Sequence, residues 1–212
     1  MVGVPPDPRP EHDVDATQVA DMLGAMAAMA VAVVVLGALA SLVHRPTRAH
    51  VSALATDHGR VSAWLVATIA AVGSLWFSEV ADFPPCVLCW YQRIAMYPLV
   101  VVLGIRALRP HGSPDLRIAA LVLAGIGSTV NLWHVAIETF PDFDSGTCAA
   151  TVPCTVRWVE GLGIFTIPRL ATVAFALVLL AVVLDRTDAR AGRPVGHSYA
   201  PGTRTPLGGS TP

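Results

Sequence analysis

The sequence predicts an all-α membrane protein, and two features of its composition support that prediction. Hydrophobic residues make up 54% of the 212-residue chain and charged residues only 14%, well below the roughly 25% of soluble domains. Such a chain cannot cover a globule with polar side chains, so a lipid bilayer is its expected solvent. The apolar residues also run in long stretches, which favours spanning helices over a barrel, whose strands alternate at every second residue.

Five apolar stretches are long enough for a helix to cross a hydrocarbon core about 30 Å thick, which takes about 20 residues. They cover residues 22–43, 61–80, 90–108, 116–140 and 168–184. The residues before the first stretch are acidic, whereas signal peptides begin with positive charge, so we expect residues 22–43 to be a retained transmembrane helix. The polar ends, residues 1–21 and 186–212, are expected to be disordered tails, and the link 44–60 a solvated loop.

All 14 basic residues are arginines, and their distribution predicts the orientation of the chain. Ten lie in or beside the links after the first, third and fifth spans: Arg45, Arg48, Arg60, Arg106, Arg109, Arg117, Arg186, Arg190, Arg193 and Arg204. The positive-inside rule places those links in the cytoplasm. The N-terminus and the links after the second and fourth spans are then outside. No basic block is present, so we expect no nucleic-acid partner.

Two cysteines, Cys86 and Cys89, form a Cys-x-x-Cys motif in the short link between the second and third spans. Pro84 and Pro85 precede them and suit a helix start, so both sulfurs are expected on one helical turn, close enough to bridge. The helix dipole stabilises a thiolate there, and Arg93 adds a positive charge one turn later. Because low-pKa thiolates are the reactive ones, the motif predicts a redox-active pair, with a structural bridge as the alternative.

The other two cysteines, Cys148 and Cys154, lie in the longer link between the fourth and fifth spans, among small residues. We expect this loop to be exposed and mobile, and exposed disulfides are the ones that exchange with other thiols. A bridge that only stabilises the loop is one alternative. A zinc site built from all four cysteines is another, although the gap within the second pair is longer than zinc-binding pairs usually have. The arginine-derived topology puts every cysteine outside, where disulfides persist.

Polar residues interrupt the fourth span near its outer end. His134 and Glu138 are four residues apart and share a helix face, with Asn131 just before them. Histidine is the side chain best suited to carry protons near neutral pH, so His134 is a candidate proton carrier. The alternative is an interfacial pair exposed to lipid head groups. Arg93 is likewise either functional or a side chain that extends to the head groups.

The run PCVLCWYQRI at residues 85–94 resembles the signature of the disulfide bond formation protein B family, DsbB and its BdbC-type relatives. Residues 131–138 are similar to the end of that family's third helix, and residues 154–168 to its approach to the fourth. The resemblance implies a four-helix transmembrane bundle, here residues 61–185. Residues 22–43 are then one extra N-terminal transmembrane helix.

The resemblance also implies an activity at an inner or plasma membrane. Members of the family reoxidise a DsbA-like thiol oxidase with a thioredoxin fold, on the extracytoplasmic side, and pass two electrons to a membrane quinone, ubiquinone or menaquinone. By resemblance, Cys148 would take the partner's attack and Cys154 would exchange with Cys86. Cys89 would face the quinone. The protein is therefore expected to be a multi-pass protein in contact with membrane lipid.

On the quinone side, the resemblance implies that Arg93 stabilises the thiolate–quinone pair and that His134 lies near the ring. Two features depart from the family, namely the extra helix and the short Cys148 to Cys154 loop, which is as in BdbC-type members. The alternatives are a non-catalytic membrane protein braced by two disulfides and a four-cysteine metal-binding protein.

Overall fold

The structure, a computed structural model, describes residues 15–43, 45–109, 114–144, 146, 148 and 152–185. Within these residues the chain forms five long helices and one short 3-10 helix. The helices are α1 (Ala16–Val43), α2 (Arg45–Glu79), α3 (Val87–Leu108), α4 (Pro114–Thr139) and α5 (Ile167–Leu184), and the 3-10 helix is Pro141–Phe143. Each of the five contains a segment long and apolar enough to cross a membrane, which confirms the predicted all-α membrane fold.

Two helix boundaries differ from the prediction. α1 begins at Ala16 rather than at residue 22, because Asp15 caps it: the Thr17 backbone N–H donates to Oδ1 at 3.2 Å and the Thr17 hydroxyl to Oδ2 at 2.7 Å. These hydrogen bonds to Thr17 also lower the pKa of Asp15. The predicted loop at 44–60 is wrong from Arg45 onward, where the backbone is already helical. The predicted disorder of residues 1–14 and 186–212 concerns residues outside those described.

Helices α2 to α5 form the bundle, and α1 packs outside it against α2 and α5. The core consists of alanines alternating with larger apolar residues such as Leu99, Leu103 and Phe175. Small residues let membrane helices approach closely. At Gly127 of α4 even a Cβ would collide with the Phe175 ring of α5, so this crossing requires glycine.

The two ends of the bundle differ in chemistry. At one end, which we call the arginine end, Arg106 pairs with Asp185 at 2.9 Å, and Arg60 Nη1 donates to the Arg109 carbonyl at 2.8 Å. The opposite end, which we call the cysteine end, holds Cys86 and Cys89 together with the Cys148–Cys154 loop. The cysteine pairs therefore share one end of the bundle.

Candidate functional site

Cys86 is the N-cap residue of α3, directly after the two prolines. Its backbone is extended (φ −69°, ψ 169°), and its sulfur accepts a hydrogen bond from the Cys89 backbone N–H at 3.4 Å. Both cysteines are free thiols in this structure, with their sulfurs 3.1 Å apart. The predicted helix start and the close approach of the two sulfurs are confirmed.

The Cys86 sulfur lies where a thiolate is stabilised. Its pKa falls from 9.0 to about 4, chiefly because the Cys89 thiol hydrogen-bonds to it. Burial opposes this by raising the pKa, while a hydrogen bond from the His134 ring lowers it again. We expected the N-terminus of the helix and Arg93 to stabilise this thiolate. The Cys89 backbone N–H, in the first turn of α3, does lower the pKa of Cys86, and the Cys89 thiol and His134 contribute more.

His134 is buried, with 3% of its surface exposed, and lies between the two cysteine pairs. Its Nε2 is 3.7 Å from the Cys86 sulfur and 3.2 Å from the Cys154 carbonyl oxygen. Because a carbonyl only accepts hydrogen bonds, the contact with Cys154 requires a proton on Nε2. Because the His134 ring is buried, the alternative in which it is exposed to lipid head groups is wrong.

Gln92 is a residue of the site that the sequence analysis did not identify. Its side-chain Nε2 lies 3.0 Å from Nδ1 of His134. An amide N–H donated to Nδ1 leaves that nitrogen unprotonated, which matches the proton on Nε2. Its position three residues after Cys89 in an apolar helix, on the same face, was the signal available in the sequence.

Arg93 is held inside the bundle. Its Nε donates to the Ser74 hydroxyl at 3.0 Å and its Nη2 to the Ser74 carbonyl at 2.7 Å, and its guanidinium lies 5.4 Å from the centre of the Trp90 ring. Only 6% of Arg93 is exposed, so it does not extend to the head groups. Among the described residues, Nη1 has no hydrogen-bond partner.

A cavity of about 230 Å³ opens beside these residues. Cys86, Cys89, Gln92, Arg93 and His134 all line it, and most of the remaining wall is apolar. An apolar cavity with a few convergent polar groups is typical of a site for a small organic molecule. Its lining fits a lipophilic ring with polar oxygens, since Arg93 and Gln92 supply donors next to Cys89.

Cys148 and Cys154 form a disulfide. The expectation that this pair is exposed is wrong for Cys154, which is 2% exposed and packs in one cluster with Cys86 and Ile137. Cys148 is half-buried at the edge of that cluster, and its backbone N–H donates to Asp144 Oδ1 at 3.3 Å. The more accessible cysteine is thus Cys148, while Cys154 lies on the side of Cys86.

Glu138 anchors the chain that follows Cys154. Its carboxylate is fully buried and accepts hydrogen bonds from the Thr166 hydroxyl at 2.9 and 3.1 Å. Arg157 and Arg169 approach the same carboxylate at 3.4 and 3.6 Å. Glu138 therefore shares the buried face of α4 with His134, as their spacing predicted, and ties the loop to α4 and α5.

A metal ion is the other ligand that these residues suggest. Cys86, Cys89 and His134 offer two sulfurs and a ring nitrogen that all lie within 4.8 Å of one another, and such ligands are typical of zinc. However, the nearby ring nitrogen, Nε2, carries the proton donated to Cys154, and a metal ligand must be unprotonated. The four-cysteine site also lacks two ligands here, because Cys148 and Cys154 are bonded to each other.

Comparison with known proteins gives a consistent picture. Residues 58–185, more than half of the chain, match the family model described as disulfide bond formation protein DsbB. Disulfide bond formation protein C of Bacillus subtilis is 41% identical over 124 residues, which are 58% of this chain and 88% of the relative. A probable disulfide formation protein of Oceanobacillus iheyensis is 39% identical over 57% of this chain and 83% of its own length. No solved structure gives a significant match.

The matched segment begins within α2 and ends just after α5, so it contains both cysteine pairs, Arg93 and His134 but not α1. The chain belongs to the DsbB family and is a disulfide-forming, multi-pass membrane protein with an oxidoreductase role.

Proposed function

We propose that this protein is a thiol oxidase that reoxidises a DsbA-like, thioredoxin-fold disulfide donor and passes the electrons to a membrane quinone. The observation that supports this most directly is the position of His134. Its ring contacts both cysteine pairs and lines the apolar cavity that also exposes Cys89 and Arg93. Two thiol pairs and a pocket for a lipophilic acceptor therefore share one end of the bundle.

The accessibility of the cysteines supports an order of exchange. A thiolate of the partner attacks Cys148, the more accessible sulfur, and Cys154 leaves as a thiolate. Cys154 then attacks Cys86 of an oxidised Cys86–Cys89 pair, and Cys89 leaves as a thiolate beside the cavity. The partner's second thiolate resolves the mixed disulfide and releases Cys148 as a thiolate. Cys148 then attacks Cys154, which re-forms the Cys148–Cys154 disulfide and releases Cys86, so two electrons have moved from the partner's dithiol to the Cys86–Cys89 pair.

A bound quinone, ubiquinone or menaquinone, supplies an acceptor for two electrons and two protons. On the protein side, Arg93 holds a positive charge beside Cys89 and has Nη1 available for a quinone oxygen. Gln92 keeps the proton of His134 on Nε2, the nitrogen that faces Cys86, where it is available for transfer. The apolar walls exclude water and accept a ring from the lipid phase.

The arginine distribution supports placing the cysteine end outside the cytoplasm. The arginine end holds Arg60, Arg106, Arg109 and Arg117, and the positive-inside rule assigns such an end to the cytoplasmic face. The cysteine pairs then face the compartment where disulfides persist.

Quinone reduction by the purified protein tests this proposal. The reductant is either a reduced thioredoxin-fold partner or a small dithiol that can reach Cys86–Cys89 directly. Cys89→Ser is expected to abolish turnover with both reductants. Cys148→Ser is expected to abolish turnover with the partner only, and each variant is the control for the other.

Three outcomes contradict the proposal. Undiminished turnover in Cys89→Ser would show that electrons do not pass through Cys89 to the quinone. A wild-type protein whose four cysteines stay oxidised when quinone is withheld would instead be one whose disulfides only brace the loops. Stoichiometric zinc in the purified protein, together with no quinone reduction, would favour the metal site at Cys86, Cys89 and His134.

A further inference from the structure

Helix α1, which lies outside the family match, is docked onto the cysteine end by specific contacts. The Leu162 backbone N–H donates to Asp21 Oδ1 at 2.7 Å. A Cβ at Gly161 would collide with the Ala20 backbone, and one at Gly24 would lie 3.2 Å from the Phe165 ring. Glycines on both sides thus allow α1 to approach the loop before α5 more closely than any other residue would permit.

The docked helix forms one wall of the cavity at the site. Leu23, Met26, Ala27 and Ala30 of α1 line the cavity that Cys89 and Arg93 also line. Leu23 additionally lies 3.3 Å from where a Cβ on Gly73 of α2 would be. Because α1 contacts both α2 and α5, it covers the side of the cavity between these two helices.

A second cavity, which we call the groove, lies between α1 and α5 and has a volume of about 220 Å³. It is lined by Val31, Val34, Val35, Thr172, Val173, Ala176, Leu177 and Leu180. Val173 and Leu177 line both cavities, so the two are adjacent. The one polar side chain in the groove, Thr172, is satisfied, since its hydroxyl donates to the Pro168 carbonyl at 3.0 Å.

The combined length of the two cavities along α1 suits a ligand with a long tail rather than a compact ligand. From Leu23 to Val35 the axis of α1 rises about 18 Å, at about 1.5 Å per residue. That is more than half of a hydrocarbon core about 30 Å thick. A ligand that fills both cavities therefore has a polar-edged head beside Cys89 and Arg93 and a flexible apolar tail directed into the bilayer.

From the adjacency of the two cavities along α1, we infer that the groove between α1 and α5 binds the isoprenoid tail of the quinone. The inference rests on the proposed function, because the head group in the first cavity is the acceptor named there. α1 then serves as a tail-binding wall that the matched segment, residues 58–185, does not contain. The protein should consequently distinguish tailed from tail-less quinones through residues of α1.

Two substitutions on α1 test this inference. Val34 lines the groove and is 38% exposed, whereas Val33, its neighbour, is 65% exposed and does not line it. Val34→Trp fills the groove, and Val33→Trp adds the same ring to the outer surface. The measured quantity is the KM of a tail-less quinone divided by the KM of the same ring with an isoprenoid tail.

The ratio is expected to fall about tenfold in Val34→Trp, the loss of about 1.4 kcal/mol of tail binding, and to stay at the wild-type value in Val33→Trp. Turnover of the tail-less quinone shows that each variant is folded. Equal ratios in all three proteins would overturn the inference. If the wild type reduces neither quinone, it is the proposed function that fails.

A second measurement is independent of turnover. A quinone with a photoreactive diazirine on its tail is irradiated with the protein, and the labelled peptide is identified by mass spectrometry. We expect labelling of α1 around residues 31–35 in the wild type and Val33→Trp, and its loss in Val34→Trp. Labelling confined to α2, α3 or α4 would overturn the inference, as would α1 labelling that persists undiminished when Val34 is Trp.

Discussion

The hydrogen bond from the Cys89 thiol to the Cys86 sulfur can be kept or removed by substituting residue 89. The Cys89 thiol is the main reason that the pKa of Cys86 is lowered to about 4, so the number of hydrogen-bond donors at position 89 should set that pKa. Cys89→Ser keeps a donor, whereas Cys89→Ala removes it. We expect the pKa of Cys86 to stay well below 9.0 in the serine variant and to rise further toward it in the alanine variant.

The titration is read from the ultraviolet absorbance of the thiolate, with Cys148 and Cys154 kept disulfide-bonded so that only Cys86 titrates. Since a depressed pKa means more thiolate at neutral pH, alkylation of Cys86 at pH 7 should be slower in the alanine variant. Identical titration curves for the two variants would show that the hydrogen bond from residue 89 is not the cause.

Gln92 is expected to control the tautomer of His134. Gln92→Met keeps the side-chain volume but removes the donor to Nδ1, so the proton is free to distribute between the two ring nitrogens. Nitrogen-15 NMR of the labelled ring should detect the mixture. Turnover should fall about tenfold, which corresponds to the free energy that one buried hydrogen bond contributes. Asn131→Leu is the control, because Asn131 is a buried amide on α4 that contacts Thr172 rather than His134. An unchanged ring spectrum in Gln92→Met would contradict this role.

The residues that carry chemistry were visible in the sequence, but their partners were not. Cys86, Cys89, Arg93 and His134 stand out as reactive or charged groups in apolar surroundings. Gln92 and His134 are 42 positions apart, and their contact depends on how α3 and α4 rotate about their axes. Neither spacing nor hydropathy specifies that rotation, so the amide was read as part of a motif and not as a partner of the imidazole.

Among the elements, the loop between Cys154 and α5 depends on Glu138. Glu138→Ala leaves Arg157, Arg169 and Thr166 without their shared acceptor, and we expect it to lower the free energy of unfolding by about 1–3 kcal/mol. Both arginines are partly exposed, and solvent screening keeps the loss below that of a fully buried pair. Denaturation in detergent, followed by circular dichroism, measures it.

Glu160→Ala is the matched control for that prediction. Glu160 pairs with the same Arg157 at 3.0 Å, but it is 43% exposed, so its removal should cost well under about 1 kcal/mol. Equal destabilisation by the two substitutions would mean that burial of Glu138 contributes nothing to holding the loop.

The elements were predicted with uneven success, for reasons that can be named. The apolar stretches mark α3, α4 and α5 to within a few residues, because lipid requires continuous helix there. An apolar stretch ends at the first polar residues, however, whereas the helix can continue beyond them. Ala16 to Asp21 are helical because Asp15 caps them, and α2 extends back to Arg45 through residues that looked like a loop.

For the whole molecule, the orientation in the membrane is the main remaining prediction. In a chain without its native cysteines, Asp142→Cys places a thiol at the cysteine end and Asp115→Cys at the first turn of α4, toward the arginine end. A membrane-impermeant maleimide should label Asp142→Cys in intact cells and Asp115→Cys only after lysis. Both native aspartates are exposed, so access is not limited by packing. The reverse pattern would place both cysteine pairs in the cytoplasm.

The contrast between the two ends of the bundle also determines how it can move. At the arginine end, Arg106 and Asp185 are each 2% exposed and join α3 to the end of α5, and Arg60 of α2 approaches the same carboxylate at 3.8 Å. Three helices are thus joined at the arginine end, while the cavity lies among them at the cysteine end. If the cavity widens to admit a ring, we expect α2, α3 and α5 to separate most at the cysteine end, because displacement about a fixed point grows with distance from it.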